Sequence, residues 1–279
     1  MKGRDRTAQR TPTRAGGEGS TESIEEAANV AAGRMRTAGF DIGDRVEVVV
    51  DPRLPIMGYT VSGEGGRFRI VVSGNALKSG LIDGLLVHEM SHIYRMVTKH
   101  PSHNPRIIEE ATNRATAGVV LKDYQWKTLH DLVNNIEDLY ADDIAFEVIR
   151  RSGILTAGQA SEFLQNWVED EVAEGSVGTR AQWANAWRLA NNARAIAQMT
   201  RHHVEDTDGR AATFNARLLS HLGPGANGDF EYFRALLTGL REKITPDEYR
   251  DLLVAYLTRF ERLAEGLGPA RSKAETGKA

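Results

Sequence analysis

The sequence predicts an α+β fold: a small β-sheet near the N-terminus, a helix carrying paired histidines, and then helices only. Strand-like alternation bounded by Gly, Pro and Asp is confined to residues 44–74. From Leu81 onward, apolar residues recur at three- and four-residue spacing and strand signals stop. A chain of 279 residues, 41% hydrophobic and 26% charged, is long enough to bury a substantial core as one large domain or two small ones.

In chain order, "MKGRDRTAQRTPTRAGGEGS" (1–20) is polar, Gly/Arg-rich and aperiodic, and reads as a disordered tail with no apolar leader segment. "STESIEEAANVAAGRMRTAGF" has a capping Ser/Thr, early acids and a closing glycine, so a helix starts near Ser20 or Thr21. "DRVEVVVDP" alternates and stops at proline, giving a strand; "GYTVSGEGGRFRIVVSG" gives two more around a Gly-rich turn, a hairpin. Helical patterning then covers 81–98, 106–120, 124–152, 157–170, 179–199, 211–222, 228–242 and 245–265. Trp183 and Trp187 sit at helical spacing among alanines and read as helix packing. "RRSGILTAG" places a boundary near residue 153. The expected organisation is a tail (1–20), an α+β part (21–152), a helical part (153–265) and a second tail (266–279).

Composition narrows the chemistry. The chain has no cysteine, which excludes disulfides, thiolate metal sites and a cysteine nucleophile, and fits a reducing, cytoplasmic setting. Any metal must be held by His, Asp or Glu. A net charge of −3 gives no electrostatic case for nucleic acid, and no apolar run is long enough to span a bilayer.

Within "GLLVHEMSHIYRM", His88-Glu89-Met90-Ser91-His92 puts two imidazoles one turn apart on one helix face, where both can reach a single ion. Glu89 lies roughly 100° round the helix, beside the ion, where it can take a proton from water. Leu81, Leu85, His88, His92 and Met96 form one stripe, so both histidines are expected to point inward with the core.

A catalytic zinc needs a third protein ligand. In "LHDLVNNIEDLYADDIAFEVI" (129–149) and the arginine after it, Asp143, Glu147 and Arg150 fall on one side and form the expected solvent face. Opposite them lie Asn134, Glu137, Asp138, Ala141, Asp142 and Ala145. An inward acidic face is costly unless it meets a cation, and either Glu137 or Asp138 could supply the ligand.

H-E-x-x-H followed by a helix with an acid, and an aspartate four residues on, resembles the gluzincin class of zinc metallopeptidases. Residues 138–145 (D-L-Y-A-D-D-I-A) are similar to the E-x-x-A-D-x-x-A segment of HtpX-type peptidases and compact minigluzincins. The resemblance covers residues 44–150 and implies a zincin-like core hydrolysing peptide bonds with Zn²⁺. It makes His88, His92 and Asp138 the metal ligands, Glu89 the general base, and Asp142 the partner that orients a ligand histidine. This chain has Asp where the family has Glu, with Glu137 one residue earlier; only Asp138 has an acid at i+4. In zincins an edge strand beside the active-site helix binds extended peptide, and "RFRIVVSGNAL" is the candidate strand, with an ordinary core strand as the alternative.

Other signals are weaker. A metzincin would have a third histidine where this chain has Thr98. "TKHPSHNPR" offers His100 and His103, a possible three-histidine site, although its prolines favour a polar surface turn. His202-His203 could approach the site, but its polar context reads as a loop or helix end. "GEGGRFR" lacks a phosphate-loop pattern and reads as a turn. The expected function is a zinc metallopeptidase acting on peptide or protein; the alternative is a zinc-stabilised interaction or regulatory protein without activity.

Overall fold

The computed structural model describes residues 18–173 and 178–267, and most of each expected tail, 1–17 and 268–279, lies outside them. Helix α1 (Glu18–Thr37) starts a little before the expected cap and leads into β1 (Val46–Asp51), which stops at Pro52. β2 (Gly58–Ser62) and β3 (Phe68–Ser73) form the expected hairpin, turning through Gly65 and Gly66, both at positive φ. The fold is α+β and mostly helical, with a sheet of three strands among the described residues.

Strand order is β1-β3-β2, with β1 parallel and β2 antiparallel to β3. β3 is therefore paired on both sides. The segment 67–77 has no free edge to offer a peptide, and of the two alternatives the core strand is the one found. β2, an edge strand, has an inverted alternation: Tyr59 and Val61 are exposed, whereas Gly58, Thr60 and Ser62 share register with the inward Val72, Ile70 and Phe68. Small residues there let β2 approach the next helix. A Cβ on Gly58 would lie 3.1 Å from the Val71 carbonyl oxygen and 3.3 Å from the Leu85 side chain.

Helix α2 (Ile82–Val97) carries the paired histidines. Its start is tied to α1 by Arg34 and Asp83, 2.6 Å apart. α3 (Pro105–Ala115) begins with proline at a position needing no N–H, and Asn104 caps the free amides of Arg106 and Ile107. α4 (Asp123–Ser152) has no Gly or Pro inside and stops at Gly153, which adopts the left-handed conformation of a helix end. α5 (Ala157–Gln165), α6 (Thr179–Arg201), α7 (Arg210–Leu222), α8 (Ala226–Thr238) and α9 (Pro246–Gly266) follow. Reciprocal Thr–Gln and Thr–Glu capping boxes start α5 and α9. No helix among the described residues is long and apolar enough to cross a membrane.

Two hydrophobic clusters meet along α4. Its first half, from Leu129 to Tyr140, packs with α3, α6, α8 and α9; Trp183 and Phe260 belong to this cluster. Its second half, with Ile144, Ala145, Val148 and Ile149, packs with α1, the sheet and α2. Each fully buried aliphatic side chain here contributes roughly 1.5–3 kcal/mol. α4 is thus the element shared by sheet and helices, and it lies against α2 along the face that carries Asp138 and Asp142.

Arg95, almost wholly buried on α2, locks this arrangement. It donates to the Tyr140 carbonyl on α4 through Nε (2.9 Å) and Nη2 (2.7 Å), and to Glu242 between α8 and α9 at 2.5 and 2.7 Å. The Glu242 carboxylate is well exposed and screened by water, so most of the bridge's worth lies in its buried end. Arg95→Met, which keeps the stem and removes the donors, should lower stability by about 2–3 kcal/mol, read as an earlier denaturant midpoint. An unchanged midpoint would show that the bridge contributes nothing.

Candidate metal centre

On α2, His88 and His92 stand one turn apart, and facing them on α4 stand Asp138 and Asp142. His88 Nε2 and His92 Nε2 are 3.1 Å apart; Asp138 Oδ1 is 3.4 Å from His92 Nε2 and 4.0 Å from His88 Nε2. Ligand atoms about 2.0–2.1 Å from a tetrahedral zinc lie about 3.3 Å from one another, so these spacings fit one ion with little adjustment. His88, His92 and Asp138 are the group among the described residues whose ligand atoms all lie within 4.8 Å of each other.

The outward nitrogens are already engaged. His88 Nδ1 is 2.8 Å from Asp142 Oδ1, and Gln198 Nε2 donates to Asp142 Oδ2 at 2.5 Å, fixing that carboxylate from α6. His92 Nδ1 is 2.8 Å from His103 Nε2. The Nε2 atoms are left turned toward each other and toward Asp138. Two unprotonated nitrogens at that separation repel unless a proton or metal cation lies between them.

The local field favours positive charge. Burial opposes charging the His88 ring, but Asp142 foremost, then Asp138 and Glu89, outweigh it and push His88 up to about 10. Burial likewise opposes ionising Asp138, yet His92, Arg194 and His88 hold it well below the usual carboxylate range. Glu137 behaves oppositely: burial, with the Asp138 charge beside it, pushes it up to about 8. It is not part of the histidine group. Of the two acids weighed for the third position, the geometry brings Asp138 to the histidines.

Glu89 is buried, and the Thr60 hydroxyl of β2 donates to its Oε2 at 2.7 Å. It lines a cleft of about 320 Å³ with His88, Asp138 and Asp142. The cleft walls are otherwise largely apolar, with Leu81, Leu85, Phe146, Leu155, Phe163 and Trp167. The stripe expected to face the core is divided: Leu81, Leu85 and His88 line the cleft and Leu81 is exposed, while Leu85 and Met96 also pack against the core. The core side of α2 is Leu86, Val87, Met90 and Ile93. A cleft lined with leucine has the same spacing as a core face, which is why the sequence does not separate them.

A family model described as "Family of unknown function (DUF5781)" matches residues 17–261. The chain belongs to that family. The DUF5781 match spans every element from α2 to α8 and so includes both histidines, both aspartates and the residues that hold them. No curated protein and no solved structure matches the chain.

Several side chains of this DUF5781 member depart from their expected positions. His103 is not in the group of three; it stands behind His92. The turn that carries it is not a surface turn, since His100 and Ser102 are buried. His202 caps the end of α6 and stacks on the cleft residue Phe146, ring centroids 4.1 Å apart; it is not in the group of three, and burial pushes it down to about 4. His203 is exposed at the helix end. Asp143 is not simply solvent-facing: it is half-buried and paired with Arg201, which also holds carbonyls at the end of α8. Asn134, expected inward, is exposed. Sequence reasoning missed Thr60, Gln198 and Arg194. Arg194 approaches Asp138 Oδ2 at 3.4 Å while its guanidinium lies over Trp167. These partners come from 29 to 56 residues away, and no local spacing reports them.

Proposed function

We propose that the chain is a zinc-dependent metallopeptidase with a gluzincin-like active-site helix. The observation that carries this reading is the convergence of two imidazole Nε2 atoms and the Asp138 carboxylate at the spacing of tetrahedral ligands, beside a glutamate in a cleft. Three nitrogen and oxygen donors with a side open to the cleft match the donor set of a catalytic zinc, whose remaining position is left to water or substrate. A bound zinc would supply Lewis acidity toward a carbonyl oxygen and toward water. Glu89, held by Thr60, takes the proton of the attacking water and passes it to the departing amine. Asp142 and Gln198 keep His88 in the tautomer that leaves its Nε2 free for the metal.

The peptide would lie along β2 rather than β3. The outer edge of β2 pairs with no strand among the described residues, and Thr60 joins that strand directly to Glu89. The apolar cleft beside His88 is suited to a large apolar side chain next to the scissile bond. A zinc-stabilised scaffold without activity would have no use for a buried carboxylate held at the mouth of that cleft. The lack of cysteine fits the cytoplasm as the place of action.

The test is cleavage of unfolded protein and mixed peptide libraries by purified chain, with and without a strong chelator. Cleavage should stop on metal removal and return with zinc. A chain that holds zinc firmly and cleaves nothing would support the scaffold instead.

A further inference from the structure

Behind His92 a hydrogen-bonded chain leads away from the metal centre and ends on a main-chain oxygen. His92 Nδ1 is 2.8 Å from His103 Nε2, His103 Nδ1 is 2.8 Å from Ser102 Oγ, and Ser102 Oγ is 2.8 Å from His100 Nδ1. His100 Nε2 is 3.0 Å from the carbonyl oxygen of Glu242, in the loop between α8 and α9. A carbonyl oxygen can only accept, and that orients the links before it. His100 Nε2 carries the hydrogen. Its Nδ1 is then an acceptor, as the Ser102 amide 3.3 Å away also requires. The Ser102 hydroxyl gives its single hydrogen to His100 and accepts from His103 Nδ1–H. His103 is left with an unprotonated Nε2, which accepts from His92 Nδ1–H. A cationic His103 would reverse this last link, but the carboxylates of Asp138 and Asp142 lie against His88 and His92, and no carboxylate among the described residues pairs with His103. A buried charge without a counter-ion is costly, so the neutral ring is the one that fits.

We propose that His103, oriented through Ser102 and His100 by the Glu242 carbonyl, is a positioning residue that holds His92 as its Nδ1–H tautomer and so delivers Nε2 to zinc, an assignment resting on the reading of His88, His92 and Asp138 as a zinc site. The two histidines are then held differently, His88 by a carboxylate and His92 by a neutral ring. The same Glu242 also grips Arg95, one turn beyond His92 on α2. The α8–α9 loop therefore holds α2 at Arg95 and, through His100, Ser102 and His103, reaches His92.

The test compares zinc affinity of wild type, His103→Ala and His103→Gln by chelator competition. Loss of a partner that orients a ligand histidine typically weakens binding roughly 10- to 100-fold, the effect expected for His103→Ala. The glutamine carbonyl can accept in place of the lost nitrogen, so His103→Gln should recover much of the affinity. Histidine-selective ¹⁵N spectra of metal-free wild type give a second readout, with His92 expected to be protonated at Nδ1 and not at Nε2. Zinc binding by folded His103→Ala at wild-type strength, or an Nε2–H tautomer at His92, would overturn the assignment. Should His103→Ala fail to fold, the wild-type tautomer decides by itself. A wild type that takes up no zinc would instead refute the zinc-site reading, while the tautomer would still decide whether the chain operates.

Discussion

Glu89→Gln should leave zinc content and thermal stability near wild type while lowering kcat/KM for peptide cleavage by roughly 10²- to 10⁴-fold, the usual cost of losing a general base. Glutamine has the shape of glutamate, and the Thr60 hydroxyl can donate to its amide oxygen as it does to Glu89 Oε2. The amide cannot take the proton of the attacking water. Because Glu89 is outside the group of three ligand side chains, its loss should not empty the site. Steady-state cleavage with metal analysis on the same preparation checks both halves. Cleavage by the variant at the wild-type rate would remove Glu89 from the chemistry.

The second large effect separates two neighbouring acids. Asp138→Ala should weaken zinc binding by roughly a hundredfold or more, since it removes the only carboxylate in the ligand group, a larger loss than the 10- to 100-fold typical of an orienting partner. Glu137→Ala should leave binding close to wild type, because that side chain is not part of the ligand group. Chelator competition measures both. The reverse order would shift the ligand by one residue and undo the register in which Asp142 orients His88.

The parts of the site that follow helical spacing were legible in the sequence. His88 with His92, and Asp138 with Asp142, are each one turn apart, and a polar face pointing inward is conspicuous. The parts joined across long separations were not. Gln198 reaches Asp142 from α6, and Thr60 reaches Glu89 from a strand whose inward residues are small and polar. Hydrophobic alternation reads that strand with Tyr59 and Val61 inward, whereas Gly58 and Thr60 face the helix because only small residues fit there. The turn with His100, Ser102 and His103 looked solvated for a related reason: its polar groups are satisfied by one another and by a carbonyl far along the chain. The α+β class came through because it depends on where strand alternation stops, a feature local to the sequence.

Zinc titration of metal-free wild type against a competing chelator, repeated on the His88→Ala/His92→Ala double variant, tests the central claim most directly. The proposed zinc site predicts one tightly held ion per wild-type chain and no comparable binding in the double variant, because two nitrogens are the minimum anchor for the site. Equal zinc binding by the two proteins, or none by the wild type, would contradict it.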